Sequence, residues 1–143
     1  MAQGSLTAGL AVGLTDVAGA HCLAEAIGGL YGHPHGYCCA NSMPPIMEYN
    51  LATSKAKYAR LAQAFGIERK MRSDAELARL AIEYIRDLNR RLDVPPLPEQ
   101  IDPADLDLLG QKAQQNTSAP SNPRPADAAA FTGMLARELA RKA

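Results

Sequence analysis

The chain has 143 residues, which suits one domain able to bury roughly two-thirds of its surface. Fifteen Lys and Arg balance fifteen Asp and Glu, so no basic face is advertised and neither nucleic acid nor an anionic membrane is expected as a partner. The three cysteines are odd in number and two are adjacent, a poor disulfide framework that points to a reducing, cytoplasmic setting.

Residues 5–30 are apolar apart from Asp16, His21 and Glu25 and predict one long helix, apolar on most faces. Its length raises a membrane span. Its Gly and Ala content, its mid-segment acids and its lack of a basic start favour a buried core helix, the most buried of the chain. The run Gly32-His33-Pro34-His35-Gly36 predicts a turn, and residues 37–50 a second apolar helix that Pro44-Pro45 must kink or restart. Ser54 to Phe65 reads as an amphipathic helix closed by Gly66. Ser73-Asp74-Ala75-Glu76 is a capping box. It opens a helix with Leu77, Leu80, Ala81, Tyr84, Ile85, Leu88 and Leu92 at core spacing and Arg86, Arg90 and Arg91 on the outer face.

Val94 to Gln100 is a proline-rich connection, after which Asp102 as cap and Pro103 at the first position start another helix. Thr117 to Pro125 is a polar loop, and a last helix from about Ala126 to Arg141 puts Phe131, Met134, Leu135 and Leu139 inside. No period-two run appears anywhere, so the expected fold class is all-α, a single helical domain over 1–143.

His21 and His35 carry the chemistry. One lies late in the first apolar segment, the other in the Pro-His-Gly turn, and a turn after a helix can aim two imidazoles at one point. Neutral imidazole nitrogens are good ligands for Fe, Zn and similar divalent metals. A histidine on an apolar helix is otherwise a hydrogen-bonded core residue. Glu25 falls four residues after His21, on the same helix face. It can orient His21 by a hydrogen bond, bind metal itself, or be a paired structural carboxylate. His33 reads as solvent-facing. Cys22, Cys38 and Cys39 are candidate soft ligands for zinc, but cysteines on buried helices are more often small core residues.

The order His21, Ala24, Glu25, Gly28, Pro34-His35-Gly36, Met43-Pro44, Ile46-Met47-Glu48-Tyr49-Asn50 and finally Asn122-Pro123-Arg124 resembles the group III, or iron-containing, alcohol dehydrogenases. The resemblance covers nearly all of the chain. It implies a helical bundle like the C-terminal domain of the iron-containing alcohol dehydrogenase and dehydroquinate synthase-like fold. It implies Fe(II) or Zn held by His21 and His35, polarising an alcohol or carbonyl oxygen while hydride passes to or from NAD(P). Glu25 stands where the family usually has a second histidine near the reacting centre, which makes it a candidate catalytic residue. Family members are much longer. They open with a nucleotide-binding domain, and an Asp and a His from an earlier helix complete the metal site.

This chain therefore resembles the second half of the helical domain. NAD(P) is expected to bind only with the N-terminal domain present. The expected partners are that N-terminal half or further copies of the chain, with a small alcohol or aldehyde as substrate. Two ligands fall short of the three or four that catalytic sites use, so weak metal binding and no activity are expected of the chain alone. The alternative is a non-catalytic helical binding or structural module that kept the fold.

Overall fold

The computed structural model describes residues 2–97 and 101–141. Among the described residues there are six α-helices: α1 (Ala2–Leu14), α2 (Ala18–Tyr31), α3 (His35–Ala64), α4 (Asp74–Arg91), α5 (Leu106–Gln114) and α6 (Ala128–Leu139). One-turn 3-10 helices stand at Pro103–Asp105 and Ala119–Ser121. No strand occurs among the described residues, and the all-α expectation holds. Residues 98–100 of the predicted proline-rich connection lie outside the described residues.

The predicted long helix over residues 5–30 is two helices. The break falls at Asp16, whose carboxylate takes the Val17 N–H at 2.7 Å and the hydroxyls of Ser118 and Ser121 at 2.8 and 2.6 Å. A short carboxylate that captures nearby donors competes with the helical ladder. Ala18 follows with a positive φ of 51°, and α1 leaves α2 at 101°. The expectation of greatest burial is correspondingly halved. α1 buries none of its residues, with Leu6, Leu10 and Leu14 exposed, whereas α2 buries Gly19, Ala20, Cys22, Leu23, Ala24, Ala26 and Ile27. No single helix among the described residues is long and apolar enough to cross a membrane; α1 and α2 pass that test only as this bent pair.

α2 lies at the centre, and its small residues allow close neighbours. A Cβ at Gly19 would sit 2.8 Å from both Asn122 Oδ1 and Ile46 Cδ1. Leu23 and Ile27 join Leu109, Phe131, Met134 and Leu135 in the main core. Gly32 ends the helix in the left-handed conformation, its N–H bonded to the Gly28 carbonyl at 2.9 Å.

The predicted helices at 37–50 and 54–65 are one helix of 30 residues, α3, running through Pro44 and Pro45. Proline at 44 removes the N–H that would satisfy the Ala40 carbonyl. The Asn89 side chain of α4 donates to that carbonyl at 2.8 Å instead, so the rung lost at Pro44 is replaced from outside the helix. Gly66, with φ of 85°, then turns the chain toward α4, as predicted. The Ser73–Glu76 capping box forms in both directions.

α4 buries Ala78 and Ile82, which the expected core spacing left out, and departs from expectation further at Leu92 and Arg86. Leu92 is exposed, because the helix ends at Arg91. Arg86, expected on the outer face, is only 8% exposed. Its guanidinium meets Glu138 of α6 through two bonds and Glu48 of α3 at 3.0 Å, while Arg141 reaches Glu48 at 2.5 Å. The helical period alone places Arg86 outside; two carboxylates from elements remote in sequence make its burial tolerable. Burial works against the charge, and Glu138 and Glu48 more than offset it, holding the pKa above the ordinary arginine value.

A second polar tie holds the 117–125 loop. Asn50 of α3 and Asn122 exchange reciprocal amide hydrogen bonds at 2.9 and 2.8 Å, both side chains buried. Asn122 also donates to the Arg124 carbonyl at 2.6 Å, and the Arg124 guanidinium lies 4.1 Å over the Tyr49 ring.

Candidate metal centre

Two helix ends build the site. α2 carries His21, and the Gly32–Pro34 turn returns the chain so that α3 starts at His35 itself. Pro34, in an extended conformation, precedes that first residue. The predicted turn is therefore shorter by the two residues that open α3. The His21 and His35 rings end with centroids 5.0 Å apart, tilted by 52°. His35 is exposed and His21 half-buried, so the pair lines an accessible face rather than a closed core.

Cys39 joins them. Its Sγ lies 3.4 Å from His35 Nε2 and 3.8 Å from His21 Nε2. The ligand atoms of these three side chains all fall within 4.8 Å of one another. Sequence reasoning set Cys39 aside as a small core residue, yet it is only half-buried. A signal was available. Once α3 starts at His35, Cys39 is its i+4 neighbour on the same face; with the helix started at residue 37, that relation disappears. Burial pushes the Cys39 thiol upward, with Cys38 and Glu25 adding to the shift.

Glu25 turns elsewhere. Its carboxylate accepts the Asn116 side-chain amide at 2.5 Å, at the end of α5, and among the described residues it makes no hydrogen bond to His21. Sharing a face at i+4 did not decide its direction, because Asn116, two residues past the end of α5, supplies a donor on the other side. His33, expected to face solvent, is half-buried between two rings: it stacks on Tyr31 at 5.8 Å and meets Tyr37 edge-on at 5.2 Å. Cys22 and Cys38 are fully buried, their sulfurs facing the Ala18 and His33 carbonyls. Desolvation raises the Cys22 thiol to about 11.

The donor chemistry fits a late first-row divalent metal: two imidazole nitrogens and one sulfur on preformed helix positions. Comparison with known proteins gives the setting. Residues 1–139 match the model of the Fe-containing alcohol dehydrogenase family, C-terminal. The chain belongs to that family. Among curated relatives, a choline dehydrogenase of Bacillus subtilis is 34% identical over 96% of the chain and 34% of that protein. A 1,3-propanediol dehydrogenase of Citrobacter freundii is 32% identical over 87% of the chain and 33% of its own length. Among solved structures, an alcohol dehydrogenase from Oenococcus oeni superposes with a TM-score of 0.88 at 29% identity, covering 92% of this chain and 35% of that one. The chain thus spans about a third of the length of the relatives it matches.

Proposed function

We propose that this chain is the metal-holding helical part of an NAD(P)-dependent oxidoreductase that interconverts small alcohols and aldehydes, with His21 and His35 as metal ligands. The observation that carries the reading is the convergence of those two imidazoles, 5.0 Å apart, from the His-x-x-Ala and Pro-His-Gly segments of a chain in the Fe-containing alcohol dehydrogenase family. The site accepts Fe(II) or Zn by its donor chemistry. A bound metal there supplies Lewis-acid polarisation of an alcohol or carbonyl oxygen.

The chain's own residues position that chemistry. The buried flank of α2 fixes the backbone on which His21 stands, and Gly32 and Pro34 fix the return that delivers His35. Glu25, its carboxylate taken by the Asn116 amide on the side away from His21, stands outside the ligand set. Hydride transfer also needs a nicotinamide held against the substrate carbon, and orientation is a large part of what such an enzyme contributes. That half of the work belongs to a nucleotide-binding partner segment, so the 143-residue chain by itself turns over no alcohol.

The test combines calorimetry and turnover. Zinc or iron(II) binding should fall sharply in His21→Ala and His35→Ala. NADH production from small primary alcohols and diols should be absent for the chain alone. Unchanged metal affinity in both variants defeats the ligand assignment. Turnover by the 143-residue chain that His35→Ala abolishes defeats the division of labour.

A further inference from the structure

The two histidines do not exhaust the donors at this face. His35 and Cys39 stand one turn apart at the start of α3 and project from the same side of it. His21 comes from α2, across the Gly32–Pro34 turn, and the Cys39 sulfur faces both imidazoles, at 3.4 Å from one Nε2 and 3.8 Å from the other. In a tetrahedral zinc site with bonds of about 2.3 Å to sulfur and about 2.05 Å to nitrogen, a sulfur and a nitrogen sit about 3.6 Å apart. The two separations in this chain bracket that value. The neighbouring sulfurs are turned away: Cys22 faces the Ala18 carbonyl and Cys38 the His33 carbonyl.

We propose that Cys39 is a third metal ligand, which makes the site in this chain a His2Cys site that prefers zinc to iron(II). The proposal rests on the reading that His21 and His35 hold a metal, and adds a sulfur ligand and a metal preference to it. Thiolate is a soft donor and selects zinc, whereas two imidazoles with oxygen ligands serve iron(II) and zinc more evenly. Three protein donors also reach the number that catalytic zinc sites use, with one coordination position open. The chain alone should therefore bind zinc much more strongly than a two-histidine site would. On coordination the Cys39 S–H bond breaks, the proton passes to solvent, and a sulfur–metal bond forms. No oxidation state changes.

Cobalt(II) is the probe, because a thiolate on cobalt adds an intense near-ultraviolet charge-transfer band that imidazole ligands do not. The reduced 143-residue chain, Cys39→Ser, Cys39→Ala and His35→Ala are titrated with cobalt(II) and then with zinc and iron(II). The parent chain should show the band, and zinc should displace cobalt where equimolar iron(II) does not. Both Cys39 variants should lose the band while keeping weaker visible absorption from histidine-bound cobalt. Their affinity should fall at least about tenfold, the low end of what even an outer-shell partner contributes. Zinc should also slow alkylation of Cys39 in the unsubstituted chain, located by peptide mass, a readout that needs no variant to fold. Cobalt bound equally by parent and Cys39→Ser, without the band, overturns the sulfur ligand and leaves the histidine site standing. A band that persists in both Cys39 variants also overturns it. No metal uptake by any form, or uptake indifferent to His35→Ala, overturns the two-histidine reading and this one together.

Discussion

The Asn50–Asn122 pair is where a small change in this fold should have a large and diagnostic effect. Asn122→Ala removes two reciprocal amide bonds and the donor to the Arg124 carbonyl, and leaves the Asn50 amide, only 2% exposed, with Tyr58 as its remaining side-chain partner. Each bond contributes about 1 kcal/mol net, and because Asn50 keeps Tyr58 the lost pairing adds only the low end, about 1 kcal/mol, of the cost of an unpaired buried group, so the total is about 4 kcal/mol. Asn50→Ala loses the same two bonds, but Asn122 keeps its bond to Arg124, which puts its cost at about 3 kcal/mol. The double variant loses the same three bonds and strands neither amide, so it should cost about 3 kcal/mol rather than the sum of about 7 kcal/mol, a coupling of about 4 kcal/mol. Alanine is the right replacement, because α2 presses Gly19 against Asn122 and leaves no room for a branched side chain. Urea unfolding followed by far-ultraviolet circular dichroism measures all four corners of the cycle. Additivity to within about 0.5 kcal/mol would show that the amides act independently and that the pair does not tie the loop to α3.

Three further outcomes follow from the packing. Arg86→Met should destabilise the chain by about 2–4 kcal/mol in the same unfolding assay, less than a fully buried pair costs because Glu48 and Glu138 keep some solvent. Ser121 and then Ser118 hold the Asp16 carboxyl below its usual range, so its contribution is present above pH about 4 and lost as pH falls through the depressed folded value. Asp16→Asn should flatten that acid limb of the stability profile while leaving its neutral and alkaline limbs in shape. Deleting residues 2–14 should change the unfolding free energy by no more than about 0.5 kcal/mol, since α1 buries nothing; a loss of several kcal/mol would mean that α1 docks on the domain.

What the sequence made legible and what it hid divide along one line. Features set within a few residues could be read directly. The Ser73–Glu76 capping box, the left-handed Gly66 and the core face of α6 at Phe131, Met134 and Leu135 are of this kind. Features set by a distant partner could not. Asp16 breaks the first helix because Ser118 and Ser121, about a hundred residues on, hold its carboxylate in place. Pro44-Pro45 does not break the second, and Asn89 reaching across from α4 replaces the rung that Pro44 removes. Arg86 is inside because Glu48 and Glu138 meet it there.

The candidate metal centre lies on both sides of that line. His21 and His35 could be picked out by the company they keep, since the Pro-His-Gly turn and the apolar helix before it are local features. Cys39 depended on the helix register, and that was set by a boundary: moving the start of α3 from residue 37 to His35 converts two unrelated side chains into neighbours on one face. Boundaries are where a periodic pattern informs least, because the first turn of a helix has no preceding turn to constrain it. Residues that bind ligands are often found at helix ends for a related reason: their side chains are fixed by the helix behind them and open to solvent ahead. In this chain the least legible two residues of α3 thus decide whether the candidate site offers two donors or three.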